Sequence, residues 1–171
     1  MALVRILVDG YSLLYNWPQL APGQAPHSAA ARDALIWRLT QYQDATGIPV
    51  TVFFDGSGAP SGRPTAASSA MVEVLYSRKG ETADQMIERA VHRFGSYGEV
   101  LAVTEDHAER DTVIGLGGSA ASCGSFIQDV DRALAELGDE IRYHNRRERH
   151  RFQRRRKAAD PNESCEKTRS S

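Results

Sequence analysis

The sequence predicts an α/β domain built on a parallel sheet. Three observations carry this. Short apolar runs such as "LVRILVD", "PVTVFFDG" and "EVLAVTED" lack the strict alternation of half-exposed strands. Segments of helical period lie between them, so the order reads strand, helix, strand. Several runs end on an acid, which places polar groups at the carboxyl rim where open parallel sheets bind ligands.

Taken in order, residues 3–9 form the first buried strand, ending at Asp9. "LAPGQAPH" is a Pro/Gly loop. A helix follows from Ser28, its cap, with Leu35, Leu39 and Tyr42 on one face and Gly47 and Pro49 as its stop. "PVTVFFDG" is the second strand, "SGAPSGRPTAASSA" a small, polar loop, and "MVEVLYS" the third strand. "TADQMIERAVHRFG" opens with a capping box, Thr82 with Gln85 three residues on. "EVLAVTED" is the fourth strand. "HAERDTVIGLGG" reads as a short helix or turn, and "GLGGSAASCG" as a loop into a last helix, whose stripe is Phe126, Val130, Leu134 and Leu137. No internal repeat is present.

A length of 171 residues suits one domain with a real core. We expect a folded domain over 1–145 and a basic, partly disordered C-terminal tail over 146–171. No run of about 18 apolar residues exists, and the N-terminus lacks a signal-peptide pattern, so no membrane partner and a cytoplasmic location are expected. Cys123 and Cys165 have neither disulfide nor zinc spacing, and the five histidines show no ligand spacing.

The formal net charge of −1 hides an asymmetry. Residues 1–145 carry 11 Lys+Arg against 18 Asp+Glu, net −7; residues 146–171 carry 10 against 4, net +6. Within the second part, "RRERHRFQRRRK" has eight basic residues in twelve with Phe152 interleaved. Arg146, Arg147, Arg149, Arg151, Arg154, Arg155, Arg156 and Lys157 can neutralise phosphates. Arg planes and Phe152 can stack on unpaired bases. The same run also reads as a solvated helix extension without a partner.

Asp9, Asp55 and Asp106 end strands, Glu105 adjoins the last, and Asp84 lies in the first turn of a helix that the "SRKGE" loop can return to the same rim. Carboxylates brought within a few ångströms repel unless a cation balances them. Oxygen ligands without His or Cys favour Mg²⁺ or Mn²⁺, and such a site can activate water against a phosphodiester. Each acid also has a plainer role: Asp55 as a turn former, Asp84 as compensation of a helix dipole, and Asp9 as an ordinary turn or cap residue, although it closes a strand with no cap partner in sight. Other chemistries fit less well. A phosphatase of the haloacid dehalogenase type needs a second Asp at the position of Tyr11, and the Gly-rich segment lacks the Lys-Ser/Thr of a phosphate loop.

Four pieces, "LVDGYSLL", "VFFDG", "YSRKGETADQMIERA" and "VTEDHAERD", resemble in order and spacing the YacP-like branch of the NYN nucleases, which have a PIN-like fold. The resemblance spans roughly Leu3 to Leu137. It implies a PIN-like/NYN three-layer fold, a central mostly parallel sheet flanked by helices. It further implies a metal-dependent endoribonuclease acting on RNA, single-stranded or messenger. Carried over by position, Asp9, Asp84 and Asp106 would be the catalytic and metal-binding acids, with Asp55 or Glu105 assisting and Mg²⁺ or Mn²⁺ as cofactor. The branch includes a bacterial ribosome-associated enzyme that cuts messenger RNA during translation, so a ribosome is a further expected partner. Two positions depart from the family pattern: Ser12 stands where an Asn is usual, and Glu105 where a small residue precedes the last Asp. Ser12 would orient a ligand or the scissile phosphate, and Arg63, Arg78 and Lys79 would supply phosphate contacts near the site. The alternative is an RNA- or ribosome-binding module of the same fold with weak or lost chemistry.

Overall fold

The structure is a computed structural model that describes residues 2–56 and 72–159. The elements run β1 (Leu3–Asp9), α1 (Gly10–Tyr15), α2 (Ala29–Thr46), β2 (Val50–Phe54), β3 (Val72–Tyr76), α3 (Ala83–Phe94), β4 (Glu99–Val103), α4 (His107–Gly115), β5 (Ser119–Ala121) and α5 (Cys123–Ala159). The five strands form one sheet in the order β3-β2-β1-β4-β5, and every pairing is parallel.

β1 sits at the centre, which explains its unbroken apolar character. Ile6, Leu7 and Val8 are fully buried, because a central parallel strand is covered on both faces. The pleat sends alternate side chains to opposite layers. Ile6 and Val8 join Leu13, Leu35, Leu39, Phe126 and Val130, from α1, α2 and α5, in one core. Leu7 joins Phe53, Ile87, Val91 and Val113, from β2, α3 and α4, in the other. The architecture is thus three layers, helices on both faces of a parallel sheet, as the resemblance implies.

Two elements were not expected from the sequence. α1 is a six-residue helix directly after Asp9, too short to show a helical period. β5, only three residues long, occupies the segment expected as a loop into the last helix. Small residues, Ser119, Ala120 and Ala121, hid it, since strand propensity favours branched and aromatic side chains. It forms because it pairs in register with Leu101, Ala102 and Val103 of β4. "HAERDTVIG", open between helix and turn, is helix α4.

The first compact unit is Met1–Leu134. In the second, beginning at Ala135, the described residues continue α5 as helix through Ala159. The basic run expected as part of a tail is therefore helical to that point. Arg is a good helix former, and the i,i+3 pairs Arg142–Asp139 and Arg151–Glu148 lie along this stretch. Arg63 lies outside the described residues, as does Cys165.

Candidate active site

In a parallel sheet a helix that follows a strand starts at that strand's carboxyl rim. α1, α3 and α4 each do so, and each brings an acid in its cap or first turn. Asp9 is the cap of α1, its Oδ1 accepting from the Ser12 amide at 3.3 Å. The helix is packed hard against β2: a Cβ at Gly10 would lie 2.3 Å from the Phe54 ring. Only glycine lets the chain leave the strand there. Asp84 is the second residue of α3, behind the capping box of Thr82 and Gln85. Glu109 is the third residue of α4 and almost fully buried, at 4% exposure.

Asp9, Asp84 and Glu109 each place a carboxylate oxygen within 4.8 Å of the other two. The electrostatic consequence is large. Burial, opposed by the Ser12 hydrogen bond and reinforced by the charges of Asp84 and Asp55, pushes the Asp9 carboxyl up to about 6. Burial also raises Asp84, with Asp106 and Asp55 adding to it. Burial pushes Glu109 up to about 8, and the charges of Asp84 and Asp9 act in the same sense. The hydroxyl of Thr104 and the carboxyl of Asp84 lie beside Glu109, yet among the described residues neither Glu109 oxygen completes a hydrogen bond.

Two buried carboxylate oxygens without donors are costly. The positive ends of three helices at this rim offset part of the repulsion, but only within their first turns. A divalent cation accepts oxygen ligands of this kind and removes the remainder. The donor set therefore fits a hard divalent metal.

The other expected acids stand around this trio. Asp106 is exposed and caps α4, accepting from the amides of Ala108 at 2.8 Å and Glu109 at 3.4 Å. It lies outside the set that meets within 4.8 Å, and its charge is felt at Asp84. Asp55 accepts from the Ala83 amide at 2.9 Å, at the start of α3. Glu105 accepts from the Cys123 amide at 3.0 Å, at the start of α5. The Ser12 hydroxyl accepts from the Glu105 amide at 3.0 Å. The two positions that depart from the family pattern thus touch each other. Cys123 is buried, its thiol pushed up to about 12. Arg78 and Lys79 are exposed in the turn between β3 and α3.

Glu109 is the residue that sequence reasoning passed over. Two signals could have found it. It stands three residues after a capping acid, as a capping box would place it, and it shares a helix face with the core residue Val113, four positions on.

On the second unit, the side chains of Arg146, Arg147, Arg149, Arg151, Arg154, Arg155 and Arg156 are exposed, as are Tyr143 and Phe152. The Arg147 guanidinium lies 5.7 Å from the Tyr143 ring centroid. The side chain of Lys157 is outside those described. No helix among the described residues is long and apolar enough to cross a membrane.

The chain is similar to known proteins. The family model described as the YacP-like NYN domain matches residues 6–170. The protein YacP of Bacillus subtilis (strain 168), described only as uncharacterized, is 32% identical over 138 residues, covering 80% of this chain and 81% of that one. A crystal structure of Rae1 (YacP) from Bacillus subtilis superimposes with a TM-score of 0.71 at 26% identity, over 93% of this chain and 90% of that chain. A point mutant of the same protein gives 0.67 at 28% identity, over 82% of each.

Proposed function

The chain belongs to the YacP-like NYN domain family, a PIN-like nuclease family, and from that premise we propose that it is a metal-dependent endoribonuclease. The observation that carries the proposal is the convergence of Asp9, Asp84 and Glu109, with both Glu109 oxygens lacking a donor. These three residues would hold Mg²⁺ or Mn²⁺. When bound, such an ion lowers the pKa of water and offsets charge on a phosphodiester.

The chain's own groups do the rest. Asp106 fixes the first turn of α4 and so aims Glu109. Asp55 fixes the start of α3 and so aims Asp84. The Ser12 hydroxyl anchors the turn at Glu105, whose carboxylate is engaged by α5. In this reading Ser12 acts on the site through the turn, and Glu105 is a strut. Arg78 and Lys79 offer cations to phosphates near the rim. The basic stretch of α5 attracts RNA in a salt-dependent way, which a first unit rich in acids needs. A ribosome, itself largely RNA, is a partner of the same chemistry.

The test compares wild type with Asp9→Asn on single-stranded RNA in Mn²⁺, Mg²⁺ and EDTA. Cleavage that needs metal and disappears in Asp9→Asn supports the enzyme. Cleavage that persists in the variant overturns it. Salt-sensitive binding with no cleavage, also in the presence of ribosomes, supports the binding module instead.

A further inference from the structure

Beyond the acidic trio, the carboxyl rim carries a cationic and aromatic group that neither the sequence reading nor the family likeness assigns. Tyr11 and Tyr15 lie four residues apart on one face of α1, the helix that Asp9 caps. His27, from the loop leading to α2, packs against both, with ring centroids 4.4 Å from Tyr11 and 5.5 Å from Tyr15. The His27 Nε2 and the Tyr15 hydroxyl are 2.7 Å apart. Tyr11 is buried, but Tyr15 is 59% exposed.

Arg32 closes the group from α2. Its Nη1 donates to the His27 carbonyl at 2.7 Å and to the Tyr11 hydroxyl at 3.4 Å. The Tyr76 hydroxyl lies beside the same guanidinium. Among the described residues Arg32 makes no salt bridge. A half-buried guanidinium held by neutral oxygens has donors to spare. The charge of Asp33 reaches the Tyr76 hydroxyl that Arg32 touches, yet at a rim rich in carboxylates a guanidinium without a salt bridge among the described residues points to an anionic ligand. A guanidinium suits phosphate by geometry as well as charge.

Beside Tyr15 a cavity of about 150 Å³ opens between α1 and the same loop, with walls from Leu14, Tyr15, Trp17, Pro18, Gln24 and Pro26. Aromatic and apolar walls with one amide match a nucleobase, which offers a flat face for stacking and an edge for hydrogen bonds. Tyr15 and Asp9 are six residues apart, about 9 Å along a helix axis at 1.5 Å per residue. A strand engaged at the trio is therefore within reach of the cavity.

Taking RNA as the substrate, as proposed above, we infer that Arg32, His27 and Tyr15 form a subsite for one unpaired nucleotide beside the cleavage site. Arg32 takes its phosphate, and its base enters the cavity against the Tyr15 ring. His27 holds that ring in place through the contact with the Tyr15 hydroxyl. The substrate class that follows is single-stranded RNA with at least one base free to leave the stack.

The test is equilibrium binding, in EDTA, of a short single-stranded oligoribonucleotide carrying 2-aminopurine, read by fluorescence. Wild type quenches the probe. Tyr15→Ala abolishes quenching and weakens binding by about 5- to 150-fold, the equivalent of one lost base stack. Tyr15→Phe, which keeps the ring but loses the hydroxyl contact with His27, restores quenching in part. Arg32→Gln lowers the slope of log affinity against log salt by about 0.7, one phosphate contact on a single strand. Trp37→Ala removes a ring that is 67% exposed on α2 and binds as wild type. The surface position of Tyr15 keeps the test valid if Arg32→Gln does not fold. Undiminished quenching and affinity in Tyr15→Ala overturn the subsite, as does equal weakening in Trp37→Ala. Cleavage assays on the same proteins separate the two readings. Quenching that depends on Tyr15, without metal-dependent cleavage by wild type, removes the nuclease and keeps the subsite. Cleavage by wild type with unchanged affinity in Tyr15→Ala does the reverse.

Discussion

Replacing Glu109 by Gln should stabilise the metal-free protein at neutral pH, by an amount that grows with pH. The Glu109 carboxyl moves from an ordinary 4.5 to about 8 on folding. Between those values the folded chain holds a proton that the unfolded chain has released. Stability is therefore greatest below pH 4.5 with respect to this group, falls as pH rises, and levels off above pH 8. Each pH unit in that window costs about 1.4 kcal/mol, so by pH 7 the loss approaches roughly 3 kcal/mol. Sharing of charge with Asp84 makes this an upper bound. A Gln amide carries no such proton, and its NH₂ can donate to Asp84 or Asp9. The assay is urea denaturation of wild type and E109Q in EDTA at pH 5, 6, 7 and 8. The difference between the two curves cancels the other titrating groups to first order. Relative to its value at pH 5, it should rise by about 1 kcal/mol or more per unit. Saturating Mn²⁺ should invert the order, since a bound cation stabilises only the folded wild type. Parallel pH curves, or an E109Q protein less stable than wild type at pH 8 in EDTA, would refute the reasoning.

Asp84→Asn should lower metal-dependent RNA cleavage by more than about 100-fold in single-turnover kinetics, beyond the loss expected when a residue merely supports a ligand. Asp106→Ala should cost about 1 kcal/mol in thermal denaturation, the worth of a helix cap, and should reduce cleavage less than Glu109→Gln does. Ser12→Ala, which removes the acceptor of the exposed Glu105 amide, should likewise cost about 1 kcal/mol and lower cleavage while leaving RNA affinity in EDTA unchanged. Neutralising Arg154, Arg155 and Arg156 together should flatten the salt dependence of RNA binding, read as a slope smaller by about 2.

The layered fold is legible in the sequence because its central strand has no choice of environment. Ile6, Leu7 and Val8 can only be a strand covered on both faces, and the capping box at Thr82 and Gln85 is as plain in the chain as in the structure. What escapes is whatever depends on partners distant in sequence. Ser119–Ala121 has no strand propensity of its own and becomes β5 because β4 offers it a ladder. α1 is one and a half turns long, and only its contact with Phe54 shows why Gly10 begins it.

The same distinction divides the candidate site. Asp9 and Asp84 stand out in the chain because one interrupts an apolar run and the other follows a cap. Glu109 does not, because a glutamate in the first turn of a helix ordinarily faces water and favours the helix dipole. Its meaning comes from α4 being rotated so that Val113, one turn on, enters the core between α3 and the sheet. A helix cannot bury position 113 without turning position 109 the same way. The apolar packing of α4 therefore forces a carboxylate inward, against two others. A folding rule that would normally forbid such a residue becomes, at this rim, the means of building a site for a cation.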